Sequence, residues 1–203
     1  VLVALSGAFS ARATLVAGRP CFPTVAAIGE APDCVFIAVP REMVESVVRD
    51  CAAAGVGGAG IVASGLAETA KPERVAEQNR IVDIARSAGM RLVGPNTIGL
   101  LNYEIGAGLT FSAMPARRPL LQYAIGIISQ SGSLGFSLAQ AAELGVSISH
   151  VLTAGNSADF DVADYVAYLA EEPACKAIVC VFEGMAHPEC VFRGIVSTDF
   201  TAS

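Results

Sequence analysis

The stretch Ile125-Gly126-Ile127-Ile128-Ser129-Gln130-Ser131-Gly132-Ser133-Leu134-Gly135-Phe136 concentrates the residues that could do chemistry. Its apolar start reads as a buried strand, its polar, glycine-containing middle as an elbow, and its end as the opening of a helix. In such a unit the elbow amides and the first helical turn point at one spot. The amides of a first turn lack intrahelical acceptors and carry a partial positive charge. A phosphate is at home there, and Ser131 and Ser133 add hydroxyl donors. The other reading of the same residues is an ordinary strand-to-helix turn with serines as caps.

Other reactive side chains are few. Glu183 closes a second apolar run, Ala177 to Phe182, and is either a solvated loop acid or a catalytic one. His150 lies in the strand-like Ile148-Ser149-His150-Val151 and reads as structural; His187 stands in Met185-Ala186-His187-Pro188. Neither is assigned as a nucleophile. The cysteines are Cys21, Cys34, Cys51, Cys175, Cys180 and Cys190, with no C-x-x-C pair among them. Buried free thiols in a reducing cytoplasm are expected, and no metal site.

The elements that must position these groups alternate. Strands are expected at Val1–Leu5, Cys34–Pro40, Ala59–Ala63, Arg91–Val93, Ile125–Ile128, Val146–Thr153 and Ala177–Phe182. A helix is expected over Glu42–Ala54, with Met43, Val44, Val47, Val48 and Cys51 at one-face spacing, and another over Glu73–Ala88, with Ile81, Ile84, Ala85 and Ala88 inward. A third follows the elbow to about Leu144. A fourth begins at Asp161, whose carboxylate can cap it, with Asp164 at the third helical position and Val162, Tyr165, Val166 and Leu169 as its apolar face. Gly18–Thr24, with two prolines, reads as a loop, and residues 100–119 read as irregular, with a domain boundary nearby. Strand–helix alternation gives parallel sheets, whose ligands sit beyond the carboxyl ends of the strands. Those ends hold nearly all the Gly, Ser and Asn punctuation.

Composition narrows the class. With 53% hydrophobic and 16% charged residues, the 203-residue chain has enough core for one large or two small globular domains. A net charge of −6 excludes a general nucleic-acid binder, so an anionic ligand must be held by local backbone donors. No apolar run reaches the roughly 18 residues of a membrane span. The first residues lack the basic region of a signal peptide, and the chain does not begin with Met, so its true start is expected upstream.

Five stretches in order carry a resemblance. They are Ile37-Ala38-Val39-Pro40, Ala63-Ser64-Gly65-Leu66-Ala67-Glu68, Gly94-Pro95-Asn96-Thr97-Ile98-Gly99-Leu100-Leu101-Asn102, Ser129-Gln130-Ser131-Gly132-Ser133 and Gly155-Asn156. Together, from about Gly18 to about Glu183, they resemble the NDP-forming acyl-CoA synthetases, relatives of the succinyl-CoA synthetase α subunit. The resemblance implies an α/β fold in two parts. Residues 1–116 would form a Rossmann-like CoA-binding domain without its first strand, and residues 120–203 a flavodoxin-like parallel-sheet domain that is incomplete at its C-terminus. It implies the reaction of a carboxylic acid, CoA and ATP to acyl-CoA, ADP and phosphate, through an acyl phosphate and a phosphohistidine.

Residue by residue, the resemblance implies that Val39, Pro40, Ser64 and Gly65 line the CoA groove, with Asn96 and Thr97 near the thiol end. Many relatives carry Cys at Thr97. Gln130, Ser131, Gly132 and Ser133 would receive the phosphoryl group, and Glu183 would hold the phosphorylated histidine ring. The family's Ser-His-Thr-Gly or Gly-His-Ala-Gly motif is not found in the chain, nor is an ATP-grasp domain. ATP or ADP with Mg2+ is therefore expected on an ATP-grasp domain or subunit elsewhere, in a cytoplasmic oligomer with no nucleic-acid or membrane partner. Two other readings stand beside this one. One is a stand-alone CoA-binding or regulatory module of the kind fused to a protein acetyltransferase. The other is a piece of a nicotinamide-dependent dehydrogenase.

Overall fold

The computed structural model describes residues 8–9, 15–16, 19–113 and 119–184. The expected strand at Val1–Leu5, and His187 and Cys190, lie outside the described residues. By its contacts the chain divides into two compact units, Val1–Asn96 and Thr97–Ser203.

The first unit opens with three short strands, β1 (Ala8–Phe9), β2 (Leu15–Val16) and β3 (Arg19–Phe22), in the order β1-β3-β2. Here the expected loop is a strand. β1 pairs only with Cys21 and Phe22 of β3, and β2 only with Arg19 and Pro20. Each neighbour thus covers one half of β3. Pro20, which has no N–H to give, meets one partner strand and sits as it would on an edge.

A β-α-β-α-β run follows: β4 (Cys34–Ile37), α1 (Arg41–Ala53), β5 (Gly58–Ile61), α2 (Pro72–Ser87) and β6 (Arg91–Val93). The three strands are parallel in the order β4-β5-β6. β4 ends at Ile37, short of the expected Pro40, and buries Val35 and Ile37 on one face. This is the pattern of an edge strand. α1 buries Val44, Val48 and Cys51, whereas Met43, one step round the helix, is half exposed. α2 starts on Pro72 at its first turn, where no N–H is needed. Its inward face is Gln78, Ile81, Val82 and Ala85; Ala88 lies past the helix end and is exposed.

The second unit is built on one five-stranded sheet in the order β11-β9-β10-β7-β8. Its members are β7 (Gly99–Asn102), β8 (Ala107–Thr110), β9 (Ile125–Ser129), β10 (Ile148–Thr153) and β11 (Ala177–Val181). β9, β10 and β11 run parallel, while β7 is antiparallel to both β10 and β8. Residues 100–119 are therefore not irregular throughout. The turn of the β7–β8 hairpin is closed by the Asn102 side chain, which accepts from the amides of Glu104 and Ile105, and by Gly106 at a φ of 70°.

Two helices flank the sheet: α3 (Gly132–Ala139) and α4 (Val162–Glu171). A Cβ on Gly135 of α3 would lie 3.0 Å from side-chain carbons of Ser129 and Thr153, and one on Gly126 would meet Leu169 of α4 at 2.5 Å. Gly126 and Ser129 point to opposite sides of β9, so α3 and α4 cover opposite faces. The α3 face carries the core of Leu101, Tyr103, Ile127, Phe136, Ala139 and Val151. β10, third in the order of five, is buried along its whole length.

Candidate functional site

In the first unit the parallel register brings three strand tips to one edge. Ile37 pairs with Ile61, and Gly60 with Val93, so the segments that follow β4, β5 and β6 emerge together. These segments hold Val39-Pro40, Ser64-Gly65 and Asn96. The amide of Val62 donates to the Ile37 carbonyl at 3.1 Å and that of Asn96 to the Ala63 carbonyl at 3.0 Å, which ties the three exits to one another. Pro40, Ser64 and Asn96 are exposed, and Val39 and Gly65 half-buried. Gly65, at a φ of 89°, and Asn96, at 60°, take left-handed backbone, which turns the chain sharply across the sheet edge. Glu68 closes the Ser64–Glu68 loop by accepting from the amides of Gly65 and Leu66. This residue lies inside the recognised stretch, yet sequence reasoning gave it no role. The signal is an acid three residues beyond a turn glycine, where a carboxylate can reach back to the turn's amides.

Thr97 is turned inward. It is 2% exposed, and its hydroxyl donates to the Thr153 carbonyl at 2.7 Å and lies 2.8 Å from the Thr153 hydroxyl. The Gly99 amide donates to both hydroxyl oxygens at 3.1 Å, and the Thr153 hydroxyl donates to the Gly99 carbonyl at 2.7 Å. Each hydroxyl has one proton to give, so Thr97 is consumed in holding the start of β7 to the end of β10.

In the second unit the tips of β9, β10 and β11 are in register, with Ser129 opposite both Thr153 and Val181. The elbow Gln130–Ser133 and the Phe182–Gly184 segment therefore leave the sheet side by side. Ser131 caps α3, its Oγ accepting from the Leu134 amide at 3.4 Å and lying 3.3 Å from Ser133 Oγ. The buried Ser129 hydroxyl donates to the Ser131 carbonyl at 2.7 Å and stiffens the bend. The amides of Gly132 and Ser133 belong to the first helical turn, where the helix itself supplies no acceptor. Gly132 has no room for a side chain, since a Cβ there would lie 2.6 Å from Ile98.

Gln130 is tied into the neighbouring main chain. Its amide donates to the Val181 carbonyl at 3.0 Å, its Oε1 accepts from the amides of Glu183 at 2.7 Å and Gly184 at 3.2 Å, and its Nε2 donates to the Gly184 carbonyl. It locks the Glu183–Gly184 main chain beside the elbow and leaves the Glu183 side chain exposed. So Glu183, Ser131, Gly132 and Ser133 share one edge, and Val39, Pro40, Ser64, Gly65 and Asn96 share another in their own unit.

The remaining candidates are quiet. His150 is 1% exposed, its ring edge-on to Tyr168 at 5.7 Å, with neither ring nitrogen hydrogen-bonded. Burial lowers its pKa, against the upward pull of Glu172 and Glu104. Burial pushes the Cys51 thiol up to about 11, and Cys34, Cys175 and Cys180 also rise. A raised thiol pKa disfavours the thiolate, which is the nucleophilic form. Among the described residues no cluster of His, Cys, Asp and Glu could hold a metal ion, and no helix is long and apolar enough to cross a membrane. A cavity of about 360 Å³, lined by Tyr103, Leu120, Leu121, Val146 and Ile148, lies by the amino-terminal end of β10, away from the elbow.

Two family profiles match. Residues 8–103 match the CoA-binding domain, and residues 122–198 the succinyl-CoA ligase-like flavodoxin domain. The chain thus joins a CoA-binding domain to a succinyl-CoA ligase-like flavodoxin domain. It is 33% identical over 171 residues to the ADP-forming acetate–CoA ligase I of Archaeoglobus fulgidus, an alignment covering 84% of this chain and 24% of that enzyme. It is 32% identical to the α subunit of ADP-forming acetate–CoA ligase II from Pyrococcus furiosus, covering 84% of this chain and 36% of that subunit. Its fold superposes with a TM-score of 0.81 on the dinucleotide-forming acetyl-coenzyme A synthetase 1 of Ca. Korarchaeum cryptofilum, solved with phosphate and ADP. The identity is 30%, with 94% of this chain and 39% of that one covered. The chain spans about a quarter to a third of the length of the curated relatives it matches.

Proposed function

We propose that the chain is the part of an ADP-forming acid–CoA ligase that binds CoA and receives a phosphoryl group from a phosphohistidine. The functional division is the CoA-binding domain over 1–116 and the flavodoxin-type domain over 120–203, around the two profile matches at 8–103 and 122–198. The observation that carries the reading is the Gln130 clamp. It holds the main chain of Glu183 beside the elbow that carries the uncapped amides of Gly132 and Ser133. An acid and an anion cradle side by side suit a phosphorylated imidazole: the helix start stabilises the phosphoryl oxygens, and the carboxylate accepts from the ring N–H and fixes its tautomer. In the first unit the tips at Val39-Pro40, Ser64-Gly65 and Asn96 form the wall against which the CoA arm lies. Neither His150 nor His187 is assigned as the phosphorylated histidine; an ATP-grasp domain or subunit handles ATP with Mg2+, and the carboxylic acid meets the phosphoryl group at the elbow.

Calorimetric titration of the protein with CoA and, separately, with NAD tests the first half of the reading. Saturable CoA binding without NAD binding is expected; the reverse would assign the chain to the dinucleotide-dependent dehydrogenases. In a mixture completed with an ATP-grasp subunit, Glu183→Gln should lower acyl-CoA formation by about 10²-fold or more. Unchanged turnover would remove Glu183 from the mechanism.

A further inference from the structure

We infer that Arg41, anchored by Glu77, is a positioning residue that sets the conformation of the Ser64–Leu66 loop for CoA. The inference rests on the CoA reading of that loop and adds to it a residue that touches the loop from behind.

Arg41 opens α1 immediately after the Val39-Pro40 exit. One guanidinium nitrogen, Nη1, donates to both carboxylate oxygens of Glu77, at 2.6 and 2.7 Å, and Nη2 donates to Glu42 Oε1 at 2.6 Å. Arg74 adds a bond of 2.8 Å to the same Glu77 carboxylate. The pair is sheltered, with the side chains of Arg41 and Glu77 17% and 14% exposed. Charge-assisted bonds in such a setting hold a geometry well, and losing one partner leaves a sheltered charge uncompensated. The guanidinium's charge is already met by two acids, so it is a poor candidate for gripping the phosphates of CoA.

Its stem does the positioning. A Cβ placed on Gly65 would lie 3.2 Å from Arg41 Cδ and 3.8 Å from Nε. The arginine therefore lies along the side of Gly65, whose left-handed φ of 89° makes the turn that presents Ser64. On its own side the loop is held by Glu68, which takes the Gly65 and Leu66 amides. The loop is pinned twice: locally by Glu68, and from α1 and α2 by Arg41 and Glu77. If the arginine is removed, Gly65 has open space beside it and the freest backbone of any residue type. A site that is competent only part of the time binds its ligand more weakly by that fraction. Arg49 and Glu45, an exposed ion pair at 2.7 Å on the same helix, provide the control.

The test pairs amide hydrogen exchange over residues 62–70 with CoA titration, in wild type, R41A, R41K, E77Q, the R41A/E77Q double variant and R49A. R41A and E77Q should each speed exchange at Gly65 and Leu66 and raise the Kd for CoA by about tenfold. The double variant should do no more than either single one, R41K should recover part of the loss because it keeps the stem, and R49A should change neither readout. Faster exchange spread evenly through the unit, or faster loop exchange with CoA affinity intact, would reduce Arg41 to a structural ion pair and overturn the inference. A wild-type protein that binds no CoA would instead overturn the CoA reading, with the exchange comparison deciding separately whether Arg41 holds the loop.

Discussion

At the scale of single residues, the polar groups that look most reactive are largely committed to one another. Thr97→Val would take the hydroxyl donor from the Thr153 carbonyl and leave the Gly99 amide with the Thr153 hydroxyl alone, in a buried setting. An unfolding midpoint should report a loss of about 1–3 kcal/mol, with Thr97→Ser retaining most of the stability. Gly135→Ala should cost about 1–3 kcal/mol in the same measurement, because its Cβ would press on Ser129 and Thr153 at 3.0 Å. The identities of these residues were legible in the sequence; the direction each side chain faces was not. Thr97 follows an exposed Asn96, and nothing in their order says that one points to solvent and the next into the sheet. Gln130 is a similar case. Its place in the elbow suggested a phosphate ligand, and its hydrogen bonds make it the brace of a segment some fifty residues on, at Glu183 and Gly184.

At the scale of elements, local chemistry was readable wherever it is complete within a few residues. Asp161 and Asp164 form the expected capping box, the Asp161 carboxylate accepting from the amides of Ala163 and Asp164 and the Asp164 carboxylate from that of Asp161. All four expected inward residues, Val162, Tyr165, Val166 and Leu169, are buried. Asp161→Ala should destabilise the protein by about 1 kcal/mol, seen as a lower thermal midpoint, while Asp161→Asn or Asp161→Ser should lose less. The misread elements are those whose justification comes from a distant partner. β3 contains Pro20 and exists because β1 and β2 each cover one half of it. β7 and β8 carry glycines and short polar turns, and gain their place from pairing with β10 across some fifty residues of chain. Periodicity within a short window carries no information about such partners.

At the scale of the whole molecule, acid sensitivity follows from one central histidine. His150 is neutral in the fold because burial outweighs Glu172 and Glu104, so its folded pKa lies below the ordinary 6.5. The unfolded chain then binds the extra proton first as the pH falls. The stability due to neutral His150 is full above about pH 6.5 and declines as the pH drops toward the folded pKa. Denaturant midpoints measured from pH 7.5 downward should show that decline, and His150→Phe should flatten it. The sheet also bears on how the gene is divided. Leu100–Asn102 provide the main-chain partners of His150–Leu152 on one side. A protein begun at residue 117, a natural place to cut between the two profile matches, would carry β10 with that side bare. An apolar ribbon with unmet amides recruits copies of itself. The C-terminal half should come out of cells dispersed when expression starts before Thr97, and as inclusion bodies when it starts after the hairpin.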